Sequence, residues 1–267
     1  MEVIRVVVNG ALGRMGQEVV KAITQREGMV LVGATEKKVT QKYLPIVGAA
    51  VHFSSNLDSL LSECGADVVV DFTTARAAMA AARIAAKRKV NLVIGTTGLS
   101  EENVSEIGQL CRKHKIGAIV APNFSVGATI LTRLAGIAAR FFSYAEIIEM
   151  HHDKKLDAPS GTAINTAKAM LEMHGKPFLY PETKKEIIGN TRGGQMEGIA
   201  IHSVRSPGFM AEQEVIFSEV GQTLSLHSKT ISREAYMPGV ILAIREVVKQ
   251  KGLVYGLDSL LEKTLGA

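Results

Sequence analysis

Between Glu149 and Ala163 the chain reads EMHHDKKLDAPSGTA. Two adjacent histidines, two lysines and a Ser-Gly-Thr triplet stand close together in it. Histidine, with an ordinary pKa of about 6.5, gives or takes a proton near neutral pH. Ser160 is a good N-cap for a helix predicted from Gly161 to about Met170. The first backbone N–H groups of such a helix lack partners within it. With the hydroxyls of Ser160 and Thr162 they form a carboxylate site, and Lys155 on the preceding loop adds positive charge. The chemistry this suits is proton transfer to a small, doubly anionic molecule. His151 and His152 fall at the end of a predicted strand and point to opposite faces of it, so they do different jobs. Lys154 reads as a surface residue. On this stretch alone, structural histidines and a solvated Lys155 are open alternatives.

A second chemical signal lies near the start. VVVNGALGRMGQEVVKAI sets Gly10, Gly13 and Gly16 between a strand and a helix, where small residues let backbone N–H groups approach a pyrophosphate. The spacing is G-x-x-G-x-x-G, with Leu12 where G-x-G-x-x-G has its second glycine. Glu36 ends the next predicted strand, where a carboxylate accepts from adenosine ribose hydroxyls. Later loops, Asp71-Phe72-Thr73-Thr74, Gly95-Thr96-Thr97-Gly98 and Ala121-Pro122-Asn123-Phe124, also follow apolar runs and would share one sheet edge. A nicotinamide dinucleotide is the expected cofactor.

These residues need a frame to hold them. Up to about residue 121, β-branched runs (VIRVVV, MVLVGA, DVVVDF, NLVIGT, GAIVA) alternate with helical patterns such as ARAAMAAARIAAKR. That is the grammar of an α/β, Rossmann-like, doubly wound parallel sheet. Beyond about residue 140, AEIIEMHH, GIAIHSVR, EQEVIFSEV and QTLSLHSK read as strands of a smaller α+β domain with a mixed, largely antiparallel sheet. The last stretch, from EAYMPGVILAIREVVKQKG to LDSLLEK, reads as helix.

The 267 residues, 46% hydrophobic and 21% charged, suffice for a sizeable core. The net charge of +5 suits an acidic small molecule and, without basic clusters, argues against nucleic acid. No run reaches the roughly 18 apolar residues of a membrane span, and MEVIRVVVNG is a poor signal sequence, so a cytoplasmic protein with no membrane role is expected. Cys64 and Cys111 lack metal-ligand company, so neither a bound metal nor a disulfide is expected.

HHDKKLDAPSGTA closely resembles the signature His-His-x-x-Lys-x-Asp-Ala-Pro-Ser-Gly-Thr-Ala of the bacterial dihydrodipicolinate reductase family, and GALGRMG, GTTG and APNFSVG extend the resemblance over essentially the whole chain. It implies reduction of 4-hydroxy-tetrahydrodipicolinate, or its dehydrated form, by NADPH or NADH in diaminopimelate and lysine biosynthesis. It further implies a dinucleotide-binding domain over residues 1–122 and 232–267, a substrate-binding and oligomerisation domain over 123–231, hinges near Phe124/Ser125 and Ser232/Arg233, and a homotetramer. By position, His151 resembles the family's proton donor or acceptor, Lys155 its second proton donor, and His152, Gly161 and Thr162 its substrate contacts, with Thr97 serving both substrate and cofactor. Gly10, Ala11, Leu12, Gly13, Arg14 and Met15 match the pyrophosphate loop and Glu36 the ribose acid. Gly95, Thr96 and Thr97, with Ala121, Pro122, Asn123 and Phe124, match the nicotinamide side. Lys37 stands where the family commonly has Arg, which predicts use of both cofactors. The rival readings are another amino-acid dehydrogenase of the same plan, which lacks the His-His-x-x-Lys run, and a non-catalytic dinucleotide sensor, which has no need of His151 and Lys155.

Overall fold

A computed structural model of the chain describes residues 3–46 and 49–265. Strand β1 (Ile4–Asn9) leads to helix α1 (Arg14–Thr24), then β2 (Met29–Thr35), β3 (Tyr43–Ile46), β4 (Ala49–Ser54), α2 (Leu57–Cys64) and β5 (Val68–Asp71). Next come α3 (Ala75–Lys87), β6 (Asn91–Ile94), α4 (Glu101–His114) and β7 (Gly117–Val120). The chain continues as α5 (Val126–Ala139), β8 (Tyr144–His151), α6 (Gly161–His174), β9 (Gly194–Met196), β10 (Ile199–Arg205), β11 (Ala211–Glu219) and β12 (Gln222–Thr230). A 3-10 turn, Arg233–Tyr236, precedes α7 (Met237–Val247), β13 (Gly252–Tyr255) and α8 (Asp258–Leu265). Two compact units result, Met1–Ser125 with Tyr236–Ala267, and Val126–Ala235.

The first unit is built on an eight-stranded sheet in the order β13-β7-β6-β5-β1-β2-β4-β3, parallel except for the β3–β4 pair. From β1 the chain winds outward through β2 to β4, then returns to β5 on the other side. The strand order therefore reverses beside β1, and in such sheets ligands bind outside the carboxyl ends of the strands at that point. Its strands read as unbroken apolar runs because helices cover them: all four residues of β5 and of β7 are buried. Leu92 and Ile94 of β6 are fully buried, each such side chain contributing about 1.5–3 kcal/mol. Helix α3 turns Ala78, Ala81, Ala82 and Ala85 inward. The edge strand β13 and the antiparallel β3–β4 pair depart from the sequence reading, which had only helix in the tail. GLVY is four residues that begin at Gly252 and are followed by Gly256, both at positive φ, too short to show a period.

The second unit lays α5 and α6 against one face of a five-stranded sheet in the order β12-β11-β8-β10-β9, mixed and mostly antiparallel, as the change of pattern predicts. Strand β8 alternates: Ala145, Ile147 and Glu149 are buried, while Tyr144, Glu146, Ile148 and Met150 are half-exposed. Register then decides the site. Glu149 lies between Ser203 of β10 and Gln213 of β11, and His151 between Arg205 and Ala211.

Candidate active site

At the carboxyl edge of the first unit, the loop after β1 is shaped by its glycines. Gly10 has φ +83°, and a Cβ on Gly16 would collide with the Gly10 carbonyl oxygen, so α1 starts hard against the loop. Its N-cap, Gly13, offers no side-chain cap, and no acid stands in the first turn. Helix α4 differs: a capping box of Ser100 and Asn103, with Glu101 and Glu102, neutralises its start from within. The exposed start of α1 at Gly13 and Arg14 thus fits a pyrophosphate. The half-buried Glu36 accepts from the N–H groups of Leu12 (3.2 Å) and Lys37 (2.8 Å), which fixes a negative charge at the end of β2.

Beneath this edge lies a carboxylate that the sequence reading left without a role. Asp71 is fully buried and accepts from Asn9 Nδ2 (2.5 Å), Thr96 Oγ1 (2.6 Å) and Thr73 Oγ1 (2.9 Å), while Asn9 Oδ1 accepts from Thr35 Oγ1. The network ties together the ends of β1, β2, β5 and β6. Burial pushes the Asp71 carboxyl above its usual range although these donors oppose it. The buried Thr96 is thereby occupied within the protein, whereas Thr97 is exposed; Gly95 and Asn123 are half-buried, Pro122 is exposed, and Ala121 and Phe124 are buried. Phe124 packs against Phe72, and Gly95 is glycine because a Cβ would strike the Phe72 ring.

In the second unit the chemistry gathers at the end of β8. His151 Nδ1 lies 2.5 Å from Glu149 Oε2, and Glu149 is fully buried. Arg205 grips the same carboxylate at both oxygens (2.9 and 2.7 Å), and the Ser160 N–H donates to Oε1 at 3.2 Å. Burial alone would raise Glu149; hydrogen bonds from His151, Arg205 and Ser203 outweigh it and bring the carboxyl to about 2. A second Arg205 contact, Nη2 to the Asp157 carbonyl (2.7 Å), pins the loop before α6. On that loop Lys155 Nζ contacts both Asp157 carboxylate oxygens, at 2.7 and 3.0 Å, and this hydrogen bond chiefly holds the Asp157 carboxyl below its ordinary range. His152 has left the strand and is exposed.

The start of α6 is open where a ligand would need it. Gly161 is exposed and Thr162 half-buried, and the first turn holds no acid. Ser160 is the N-cap, as expected, its hydroxyl accepting from the Ala163 N–H at 3.1 Å; but it is 2% exposed, so that hydroxyl shapes the helix start from beneath and is not presented to a ligand. Among the described residues, no group of three or more His, Cys, Asp or Glu is placed to hold a metal ion, and no helix is long and apolar enough to cross a membrane.

Comparison with known proteins bears on the same two units. Residues 4–124 match the family described as "Dihydrodipicolinate reductase, N-terminus" and residues 127–261 the family described as "Dihydrodipicolinate reductase, C-terminus". The 4-hydroxy-tetrahydrodipicolinate reductase of Dehalococcoides mccartyi is 52% identical over 264 residues, covering 98% of this chain and all of its own. The chain belongs to the dihydrodipicolinate reductase family. A further relative, from Moorella thermoacetica, is 46% identical over 265 residues, covering 97% of this chain and 98% of its own. Among solved structures, the dipicolinate-bound dihydrodipicolinate reductase of Paenisporosarcina sp. aligns with a TM-score of 0.87 at 38% identity, over 97% of this chain and 99% of that one. An amine dehydrogenase from Mycobacterium smegmatis aligns at TM-score 0.64 with 16% identity over 96% of this chain and 95% of its own, a likeness of fold alone.

Within this family member, sequence reasoning found the residues that are contiguous and missed those that register assembles. Glu149 opened the quoted stretch, but its partner Arg205 lies 56 positions away and meets it only through the β8–β10 pairing. The signal was present in the alternation of AEIIEMHH, where an acid falls on the apolar phase. An acid there needs a buried cation nearby.

Proposed function

We infer that the chain reduces 4-hydroxy-tetrahydrodipicolinate to tetrahydrodipicolinate with NADH or NADPH, a step toward diaminopimelate and lysine. The observation that carries this is the end of β8, where His151 is held by a buried carboxylate next to the open start of α6 and the loop of Lys155. Overall, one hydride and one proton are added and one water is lost. A bound nicotinamide supplies the hydride. The groups that would hold it are the loop Gly10, Ala11, Leu12, Gly13, Arg14 and Met15, the acid Glu36, and the strand ends carrying Thr97 and Asn123.

On the substrate side, the N–H groups of Gly161 and Thr162 and the Thr162 hydroxyl receive one carboxylate, with His152 beside the other. Lys155 exchanges Asp157 for the substrate's negative charge, and thereby carries a proton to the ligand. His151 gives its proton to the electron-rich ring left by hydride addition. The Paenisporosarcina relative bound to dipicolinate, a planar ring with two carboxylates, supports a ligand of this class.

The test is oxidation of NADH and NADPH with substrate formed in situ from pyruvate and aspartate semialdehyde by the upstream synthase. Absence of oxidation with both sinks the assignment. Both cofactors are expected to work. Glu36 repels a 2′-phosphate while the exposed Lys37 attracts it as a flexible point charge, so the two efficiencies should lie within about tenfold. Lys37→Ala should weaken NADPH alone in calorimetric titration, and equal losses for NADH would make Lys37 a solvated lysine.

The face of the second sheet opposite α5 and α6, with Tyr144, Ile148 and Met150 half-buried along β8, suits assembly into the homotetramer that the family resemblance implies. Light scattering of the eluted protein tests it, and a monomer at micromolar concentration would refute it.

A further inference from the structure

A carboxylate buried to 0% exposure is retained only with strong compensation, and Glu149 accepts from His151 Nδ1, Arg205 Nη1 and Nη2, the Ser160 N–H and the Ser203 side chain. The guanidinium is always charged and has no acceptor, so the two-pronged Arg205 contact keeps Glu149 ionised. An ionised carboxylate only accepts. The 2.5 Å contact therefore obliges His151 to carry its hydrogen on Nδ1. We propose that Glu149, supported by Arg205, is the positioning residue of this site. It locks the His151 ring with Nδ1 protonated, so that Nε2 alone exchanges a proton with the substrate, and it ties that ring to the substrate-carboxylate cradle through Ser160.

The linkage is geometric. One carboxylate joins the end of β8 to the first residue before α6, and Arg205 extends it to the Asp157 carbonyl on the loop that carries Lys155. Ring, cradle and lysine loop thus share one anchor. The titratable and charged groups around Glu149 are His151 on its own strand, Arg205 on β10, and the Lys155–Asp157 pair on the held loop; Gln213, its neighbour on β11, is neutral. Removing the carboxylate charge releases the tautomer of the His151 ring.

This inference rests on His151 as the proton-transferring group, which His151→Ala tests by itself: kcat should fall by about 10²–10⁴-fold. Glu149→Gln should lower kcat by about 10²-fold and leave the dicarboxylate KM within about threefold. In the His151→Ala background the same change should alter kcat by less than about twofold, because the glutamine amide oxygen can still accept from the Ser160 N–H and Arg205, while the ring whose tautomer the carboxylate sets is gone. An equal loss in both backgrounds would show a merely structural role and overturn the proposal. ¹⁵N resonances of the unmutated protein, with His151 assigned by difference against His151→Ala, test it without any Glu149 variant: the neutral ring should carry its proton on Nδ1. A neutral ring protonated on Nε2 would also overturn it. Should Glu149→Gln fail to fold, Glu149→Asp retains the charge for Arg205 but withdraws the carboxylate by one methylene, and wild-type kcat in that variant counts against the proposal. If His151→Ala keeps full turnover, the proton-donor reading fails, while the ¹⁵N measurement still reports on Glu149.

Discussion

Gly161 has no conformational reason to be glycine. Its φ is not in the left-handed region, and a Cβ there would meet no heavy atom within 4 Å. Glycine costs a helix about 0.5–1 kcal/mol relative to alanine, so its presence at the start of α6 points to what must approach from outside. Gly161→Ala should fold with an unchanged or slightly higher Tm, yet raise the dicarboxylate KM by about tenfold, because the added methyl stands among the N–H donors. Unchanged KM in steady-state assays would move the anion site elsewhere. Lys155 is the other residue on which binding and chemistry meet. Paired with the exposed Asp157, it is neither solvated nor locked away, and Lys155→Ala should lower kcat by about 10²–10⁴-fold while calorimetry finds dinucleotide affinity unaltered. Turnover within about threefold of wild type would return it to a surface role.

At the scale of elements, the start of α1 is fitted to its loop through glycines that do different things. A Cβ on Gly16 would strike the backbone of Gly10 and Ala11, so Gly16→Ala must displace helix or loop; it should lower Tm and weaken dinucleotide binding together. Gly13 has an ordinary φ of −67°, and a Cβ there would lie 3.2 Å from the Gly10 carbonyl oxygen. Gly13→Ala should therefore weaken binding by about tenfold with a smaller change in Tm. Equal melting losses in the two variants, followed by calorimetry, would contradict this division. The glycine loop was legible in the sequence because its parts are neighbours along the chain. So were β1, β2, β5, β6 and β7 of the first sheet, whose β-branched runs are largely buried. The Asp71 network was not, because Asn9, Thr35, Asp71 and Thr96 come from four separate strand ends that only the parallel order brings together. Arg205 was hidden for the same reason, and β13 because four residues carry no period.

For the whole molecule, the fully buried carboxylates Asp71 and Glu149 are shifted in opposite directions. Glu149 is depressed from 4.5 to about 2 in the fold, so the stability it contributes is fully present above about pH 4.5 and disappears as pH falls toward 2. The full shift corresponds to on the order of 3 kcal/mol. Asp71 is raised, chiefly by burial, so its charge costs the fold stability at neutral pH and acidification relieves that cost. Other lowered acids, such as Asp58 and Glu106, are solvent-screened surface pairs that weigh little. Acid should therefore loosen the second unit first. Hydrogen exchange, corrected for its intrinsic pH dependence, should lose protection in β8, β10 and β11 while β1, β5 and β6 stay protected. Glu149→Gln should flatten the acid response of the second unit, and Asp71→Asn should remove the relief in the first. Loss of protection in both units at one pH, unaltered by either substitution, would mean that acid acts through groups other than these two carboxylates.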